Sequence, residues 1–313
     1  MGSRTTYAGM DRISQSLPFS PAGKVFIVGD SDTAGYNDIV QKFGHNISAW
    51  YGTIDAAISA CTANRGDVIF IAPNHTETVT ATSIALDIAG VRIIGLGQGL
   101  NRPTFTFGAA AATITVTGAN CSWENCHFIG NFLDVAAAFT IGAAKDFSLV
   151  NNTFVDNTAS LGFLSIVVTG ATDNEADGLN VVGNYWYSLD LSPNAFVSIL
   201  AAELRLNITD NYCNMAATND VGHFITLSSK IVKGVKIARN RLVVVGSTGA
   251  AVGIFLTGSG STSNGIVENN YVSSLDTTGE LIATAGTGLV YFENYYTGVA
   301  DASGKLWPVV DAA

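Results

Sequence analysis

Two groups of side chains in this sequence have residue types and spacing that could support chemistry. His75 and Glu77 lie two residues apart and could act as an acid–base pair. Asp173, Glu175 and Asp177 alternate along one segment and could bind a cation through their carboxylates. The His75–Glu77 pair has no third residue at a recognisable spacing and fits a structural role, and the acidic segment fits a solvated surface loop. We therefore expect no catalytic residue, no metal ligand and no bound cofactor.

The elements that would position these residues follow a repeated six-residue pattern, of which residues 149–154 are an example. Apolar residues stand three positions before and two positions after a reference column. We call this the Asn column: Asn152, Asn184, Asn211, Asn240, Asn270 and Asn294. Cys126 has the equivalent position one repeat earlier, and successive positions lie 24 to 32 residues apart. Repeats of this length are typical of solenoids.

The apolar residues also predict where each coil of the solenoid bends. Before each column position they alternate with period 2, which indicates a half-buried strand. The next apolar position lies five residues further on, and residues five apart cannot face the same side of one strand. The chain must turn a corner at the asparagine, so we expect this residue to take the left-handed backbone conformation. Stacked Asn side chains could also hydrogen-bond along the axis as a ladder.

The repeat defines a single domain with two distinct ends. Residues 1–24 show no periodicity and predict an N-terminal arm. Residues 25–299 predict one β-helix domain with about three strands in each coil, and residues 300–313 predict a C-terminal cap or tail. Scattered turn asparagines in a β-sandwich are the alternative, but they do not account for the fixed apolar offsets.

One short helix is predicted near the start of the domain. Ile54, Ala57, Ile58 and Cys61 recur at helical spacing, which places the helix at about residues 53–63. The open end of a β-solenoid exposes apolar side chains and unpaired strand edges. We therefore expect the helix to cap that end.

Composition excludes some classes of partner. Charged residues make up 13% of the chain, apolar residues 48%, and the formal net charge is −10. An acidic chain argues against a nucleic-acid partner, and no apolar run has the length of a membrane helix. The first residues lack the apolar core of a secretory signal. The four cysteines have no pairing pattern, so we expect buried free thiols at Cys61, Cys121, Cys126 and Cys213.

These segments resemble a known family. Residues 51–58 and 66–73 look like the helix cap and first strand of the right-handed parallel β-helix (pectate-lyase-like) proteins, and the Asn column looks like their Asn ladder. The resemblance covers roughly residues 50–298 and implies an all-β, right-handed, single-stranded parallel β-helix with a short N-terminal capping helix. The opening, which includes His75, also resembles that of tailed-phage proteins. Trimeric tailspike-like β-helices serve some phages as tailspikes and others as capsid cement.

The catalytic motifs of enzymes with this fold are incomplete here. Similar hydrolases carry an Asn-Thr-Asp, an Asp-Asp pair and a His-Gly, whereas this chain has no Asp-Asp. The nearest matches, at residues 208–210 and 222–224, lack the residue on which each motif depends. A lyase would need a base beside an acidic calcium cluster, but the basic residues crowd into one coil without such a cluster: Lys230, Lys233, Lys236, Arg239 and Arg241.

The resemblance therefore implies a structural virion protein and no enzyme. We expect a homotrimeric capsid cement or decoration protein that binds between subunits of the major capsid protein. It would be assembled in the host cytoplasm and reside on the capsid surface.

The alternative is a tailspike-type or secreted enzyme that binds and degrades a polysaccharide. A glycan partner is expected only in that case. A glycan groove would display stacking aromatic residues beside paired carboxylates. The candidate aromatic residues lie near the predicted corners: Tyr185, Tyr187, Tyr212, Tyr271 and Tyr295.

Overall fold

The protein is a right-handed parallel β-helix, as the sequence predicted. The predicted N-terminal arm lies outside the described residues except for its last two positions. The computed structural model describes residues 23–29, 47–81, 83–189, 193–216, 223–227, 231–244, 254–256, 263–274, 282–284, 288–297 and 305–307.

The described chain consists of short strands, one α-helix and one turn of 3-10 helix at Gly99–Asn101. In chain order the elements are β1 (Val25–Val28), β2 (Ile47–Tyr51), α1 (Ile54–Ser59), β3 (Val68–Ile71), β4 (Thr76–Val79), β5 (Ile84–Leu86), β6 (Arg92–Gly95), β7 (Thr104–Phe107), β8 (Ile114–Val116), β9 (Ser122–Glu124), β10 (His127–Gly130), β11 (Phe139–Ile141), β12 (Ser148–Val150), β13 (Thr153–Asp156), β14 (Ser165–Thr169), β15 (Asn180–Val182), β16 (Tyr185–Ser188), β17 (Ala195–Ile199), β18 (Glu203–Leu204), β19 (Asn207–Thr209), β20 (Tyr212–Met215), β21 (His223–Leu227), β22 (Val232–Ala238), β23 (Arg241–Val244), β24 (Ile254–Leu256), β25 (Asn264–Glu268), β26 (Tyr271–Ser274), β27 (Ile282–Thr284), β28 (Leu289–Phe292), β29 (Asn294–Thr297) and β30 (Lys305–Trp307).

Three sheets run along the solenoid, and each full coil contributes one strand to each. The first sheet pairs β2-β1-β3-β6-β9-β12-β15-β19-β22-β25-β28, with β18 beside β22. The second sheet pairs β4-β7-β10-β13-β16-β20-β23-β26-β29-β30, and the third pairs β5-β8-β11-β14-β17-β21-β24-β27. Neighbouring strands are parallel except β29 and β30, which are antiparallel. The C-terminal segment thus adds the last strand of the second sheet.

The corner between the first and second sheets corrects one prediction. The left-handed residue is the one immediately before the Asn column, and none of the column asparagines has a positive φ. The left-handed residues at this corner are Asn125, Asn151, Gly183, Asp210, Arg239, Asn269 and Glu293. The bend therefore belongs to the preceding residue, which leaves the asparagine side chain free to point inward.

Each column asparagine is buried and links its own coil to the coils on both sides. Asn211 Oδ1 accepts a hydrogen bond from Asn184 N at 2.9 Å. Asn211 Nδ2 donates to Val181 O at 2.9 Å and to Asn240 Oδ1 at 3.0 Å. The same bonds recur from Asn152 to Asn294, and Asn152 also binds Cys126 N. All polar atoms of the buried amide are thus paired, as burial requires.

A second column of left-handed residues, between the third and first sheets, was not predicted. Its members are Asn64, Gly90, Asn120, Asp146, Gly178, Arg205 and Gly234. Their backbone N–H groups donate to carbonyls of the next coil, for example Gly90 N to Ala119 O at 2.8 Å. The solenoid therefore has two tight corners in each coil.

The predicted cap is present but shorter than expected, since α1 covers Ile54–Ser59. Thr53 caps the helix by accepting from Ala56 N at 3.4 Å. Ile54, Ala57 and Ile58 are buried against the first coils, which is the helix face that the sequence spacing predicted. The helix covers the apolar end of the solenoid.

The interior is rich in aromatic side chains in its N-terminal half. Phe128 stacks on Phe105 at 5.5 Å and on Phe154 at 4.9 Å between ring centroids. The four cysteines are free and buried, as expected. Burial raises the pKa of the Cys61 and Cys126 thiols to about 12, which makes both poor nucleophiles.

Replacing Asn211 by alanine is expected to lower the free energy of unfolding by at least ~2 kcal/mol, because buried groups left without partners cost about 1–3 kcal/mol each. Asn184 N and Val181 O are the groups that lose a partner. Guanidinium titration followed by circular dichroism measures the change. The control is Asn207→Ala in the same coil. Asn207 lies outside the Asn column, is half-buried, and donates a side-chain hydrogen bond to Asn180 Oδ1 on the neighbouring strand. Equal losses for the two variants would contradict the role assigned to the ladder.

Candidate functional site

The predicted acid–base pair lies together at the capped end of the solenoid. His75 Nε2 is 3.2 Å from Glu77 Oε2, and both side chains are largely covered. The same Glu77 oxygen accepts a hydrogen bond from Ile54 N at 3.0 Å. Glu77 thereby satisfies one of the backbone donors that the start of α1 leaves without an intrahelical partner. The geometry assigns this pair to anchoring the cap.

The predicted acidic segment lies at the corner between the third and first sheets. Asp173 Oδ1 accepts from Ala202 N at 2.9 Å, and Asp177 Oδ1 accepts from Leu204 N at 2.8 Å. Lys145 Nζ lies 3.5 Å from the other Asp177 oxygen. These carboxylates link adjacent coils at the corner where the chain passes from the third sheet to the first.

Glu203, which the sequence analysis did not single out, is fully buried beside this segment. Its Oε2 accepts from Ala176 N at 3.0 Å, and its Oε1 has no hydrogen-bond partner in the described part of the chain. Burial and the nearby carboxyls of Asp177 and Asp173, opposed by the Ala176 hydrogen bond, together raise the pKa of the Glu203 carboxyl to about 7. This carboxyl therefore exchanges its proton near neutral pH.

The remaining predicted residues are placed on different elements. Asp210 lies at a corner and forms a bidentate pair with Arg239, at 2.7 and 2.6 Å. This pairing lowers the pKa of the Asp210 carboxyl. His223 begins β21 in the third sheet, and Lys236 lies 3.7 Å from Glu268 on the first sheet. Gly222 and Lys230 lie outside the described residues.

No metal site is apparent within the described ranges. No group of three or more His, Cys, Asp or Glu residues there could hold a metal ion. Within the same ranges, no helix has the length and apolar character needed to cross a membrane.

An open groove of about 360 Å³ runs along the outside of the first sheet. Arg92 and Asp146 are two of its charged lining residues. Arg92 pairs with Glu124 at 2.8 Å, and Asp146 pairs with Arg205 at 3.0 Å. The groove therefore presents charges that are already neutralised within the chain.

The candidate tyrosines come together on the outer face of the second sheet. The strand register aligns four of them in one column with an arginine, and we call this column the tyrosine strip: Tyr185, Tyr212, Arg241, Tyr271 and Tyr295. Tyr187 lies on the same face in the next column. The Tyr185 and Tyr212 ring centroids are 5.2 Å apart, and the Arg241 guanidinium lies 5.3 Å from the Tyr212 ring and 5.4 Å from the Tyr271 ring. From Tyr185 to Tyr271, neighbouring side chains of the strip are therefore in contact.

The strip extends toward the capped end through polar residues. Tyr185 is in register with Thr153, which follows His127 in the same column. Arg102 reaches over this end and donates to Thr153 Oγ1 at 2.5 Å and to Asn151 O at 3.3 Å. Burial, together with the Arg102 charge, lowers the pKa of His127. No described residue that points outward from the second sheet is acidic. A glycan groove was expected to show aromatic residues beside paired carboxylates. Among the described residues, this face has the aromatic residues but no outward-pointing carboxylate.

An apolar patch lies on the first sheet near its C-terminal end. It consists of Ile266, Val290 and Phe292, which are 40%, 57% and 37% exposed. Ile266 and Val290 are paired in register on β25 and β28. Tyr295, 43% exposed, follows Phe292 around the Asn294 corner, so the apolar patch and the tyrosine strip meet in the last coil.

Comparisons with known proteins identify no family for this chain. No protein-family model, no curated protein and no solved structure matches it.

The raised pKa of Glu203 predicts a specific pH dependence of stability. A carboxyl whose folded-state pKa lies above its ordinary value of 4.5 contributes stability that is fully present below about pH 4.5 and is lost as pH rises through about 7. In the wild type, we expect the denaturant concentration at the unfolding midpoint to decrease as the pH is raised from 5 to 8. Glu203→Gln should remove this part of the decline, because glutamine stays neutral. Glu175→Gln, at a half-exposed acid of the same corner, is the control and should follow the wild type. A Glu203→Gln curve parallel to the wild type would contradict the assignment.

Proposed function

We propose that this protein is a structural component of a tailed-phage particle. In this proposal it is a homotrimer of β-helices that sits on the capsid and binds neighbouring subunits of the major capsid protein. Its place is the capsid surface, reached after assembly in the host cytoplasm.

The apolar patch is the observation that supports this role best. Exposed apolar side chains in contiguous positions mark surfaces that bind other proteins. Val290 and Ile266 stand side by side on the first sheet, where the strand register fixes their positions. A rigid apolar surface of this kind loses little conformational entropy when a coat subunit covers it.

The sequence supports the phage context independently of the patch. The opening segment that contains His75 resembles tailed-phage proteins, and charged residues make up only 13% of the chain. A surface with few charges is cheap to desolvate, which suits a protein that spends its functional life in contact with other subunits.

Substitution of Val290 by lysine tests the patch. We expect Val290→Lys to bind purified particles that lack this protein at least tenfold more weakly than the wild type, because the contact would bury an unpaired charge. Co-sedimentation with the particles measures the binding. Ser148→Lys is the matched control, since Ser148 occupies the equivalent column of the same sheet in an earlier coil. If the two variants bind equally well, the patch is not the particle-binding surface.

The copy number in purified virions tests the proposed function itself. We expect hundreds of copies for each particle, in a fixed ratio to the major capsid protein, and quantitative mass spectrometry measures that ratio. A handful of copies would indicate a tail spike or fibre and would favour the polysaccharide-degrading alternative. Complete absence from the particles would rule out a structural role in the virion.

A further inference from the structure

The arginines among the described residues fall into two groups. Four of them pair with a carboxylate, and these pairs are Arg65–Asp67, Arg92–Glu124, Arg205–Asp146 and Arg239–Asp210. Arg102 and Arg241 are the two in the described ranges that have no carboxylate within ion-pair distance. Both guanidinium groups lie on the outer face of the second sheet, Arg102 near its Thr153 position and Arg241 between Tyr212 and Tyr271.

This distribution is unexpected for a chain with a net charge of −10. Arg102 donates only to a backbone carbonyl and a threonine hydroxyl, and Arg241 lies between two tyrosine rings. The Arg102 guanidinium sits at the level of β13 and Arg241 is in β23, which is three strand spacings or about 14 Å further along the axis. The face therefore offers two aligned positive charges to a partner that supplies the acid.

The composition of the face is that of a protein interface. Tyrosine and arginine are enriched where proteins bind one another and among the residues that carry most of the binding energy. Tyr212 has a ring on one side and the Arg241 guanidinium on the other, so the flat ring surface that a sugar would need is partly covered. The strip also continues around the Asn294 corner into the apolar patch.

A second copy of this chain offers the charge that the Arg102 end of the strip would need. The acidic corner of the solenoid carries Asp173 and Glu175, neither of which has a cationic partner among the described side chains, and Asp173 is exposed. Both residues follow β14, in the same coil as β13, where the Arg102 guanidinium lies. In a closed ring whose symmetry axis is parallel to the solenoid, equal coils stand at equal height. The acidic corner of one copy then meets the Arg102 end of the strip on the next.

We infer that the tyrosine strip is the surface through which one copy packs against the acidic corner, residues 171–177, of the next copy in a closed homotrimer. The inference rests on the homotrimer of the proposed function and names the two surfaces that form it. Because each copy uses two different faces, the contact is heterologous and closes only as a ring.

Charge reversal on either surface tests the contact. We expect Arg102→Glu and Glu175→Lys each to raise the dissociation constant of the trimer at least tenfold, as measured by light scattering across a dilution series of the full chain. Two matched controls reverse an exposed charge elsewhere and should leave the constant unchanged. They are Lys233→Glu on the first sheet and Asp87→Lys at the same type of corner three coils earlier. Circular dichroism must show that all four variants are folded.

Photo-crosslinking identifies the occupant directly. A benzophenone side chain in place of Tyr185, the strip residue next to Thr153, should crosslink to residues near 171–177 of another copy. Mixing isotope-labelled with unlabelled protein separates contacts between copies from contacts within one. Crosslinks to a coat subunit or to an acidic polysaccharide instead would overturn the inference, as would an unchanged trimer constant for both test variants. A wild-type monomer would overturn both the inference and the trimer, whereas the virion copy number would still test the structural role separately.

Discussion

The hydrogen-bonded column of buried asparagine amides is the constraint on which the rest of the structure depends. The Asn211 amide shows the pattern. Its oxygen accepts from a backbone N–H of the preceding coil, and its nitrogen donates to a backbone carbonyl of that same coil and to the amide oxygen of the next coil. A shift of one residue in any coil would leave several buried polar groups unpaired, at about 1–3 kcal/mol each. The ladder therefore fixes the register of every strand that follows it. Length variation between repeats is absorbed elsewhere in the coil.

Fixed register has a direct consequence for the outer faces. Side chains at equivalent positions of successive strands stand about 4.8 Å apart in a straight line, whatever their chemistry. On the inside this order stacks Phe105, Phe128 and Phe154, and on the outside it stacks Tyr185 on Tyr212 and places Arg241 beyond them. The tyrosine strip is therefore ordered by the same hydrogen bonds that hold the core. Its side chains have little rotamer entropy left to lose on binding.

The sequence contains enough information for the fold because the ladder repeats. The Asn column with its apolar offsets predicts the first two sheets, and helical spacing predicts the face of α1 that is buried. The left-handed residue was misplaced by one position because the residues there are chemically diverse. Arg239 and Glu293 give no signal for a left-handed backbone, although Asn125 and Gly183 do. The second corner has Asn, Asp or Gly at six of its seven positions, which is a signal for a left-handed backbone, and only Arg205 departs from it.

The residues of the candidate surfaces could not be predicted from local sequence patterns, because their neighbours are set by the fold. Glu203 follows two alanines, and only the fold shows that its carboxyl enters the interior beside Asp177. Arg241 belongs to a cluster of basic residues in sequence, yet the strand turns Lys236 toward Glu268 and Arg239 toward Asp210 while Arg241 faces the tyrosines.

The arginines along the solenoid differ in whether they pair with a carboxylate of the same chain. Exposed pairs such as Arg239–Asp210 are worth only about 0.2–1 kcal/mol each, so stability alone gives weak selection for neutralising every arginine. An unpaired arginine on a surface without acids costs the folded monomer little, since water solvates it. It becomes valuable when a partner brings a carboxylate and excludes that water, because the interaction strengthens as the local dielectric falls. The two arginines left without acids on one face are therefore better explained by a contact between proteins than by the stability of a single coil stack.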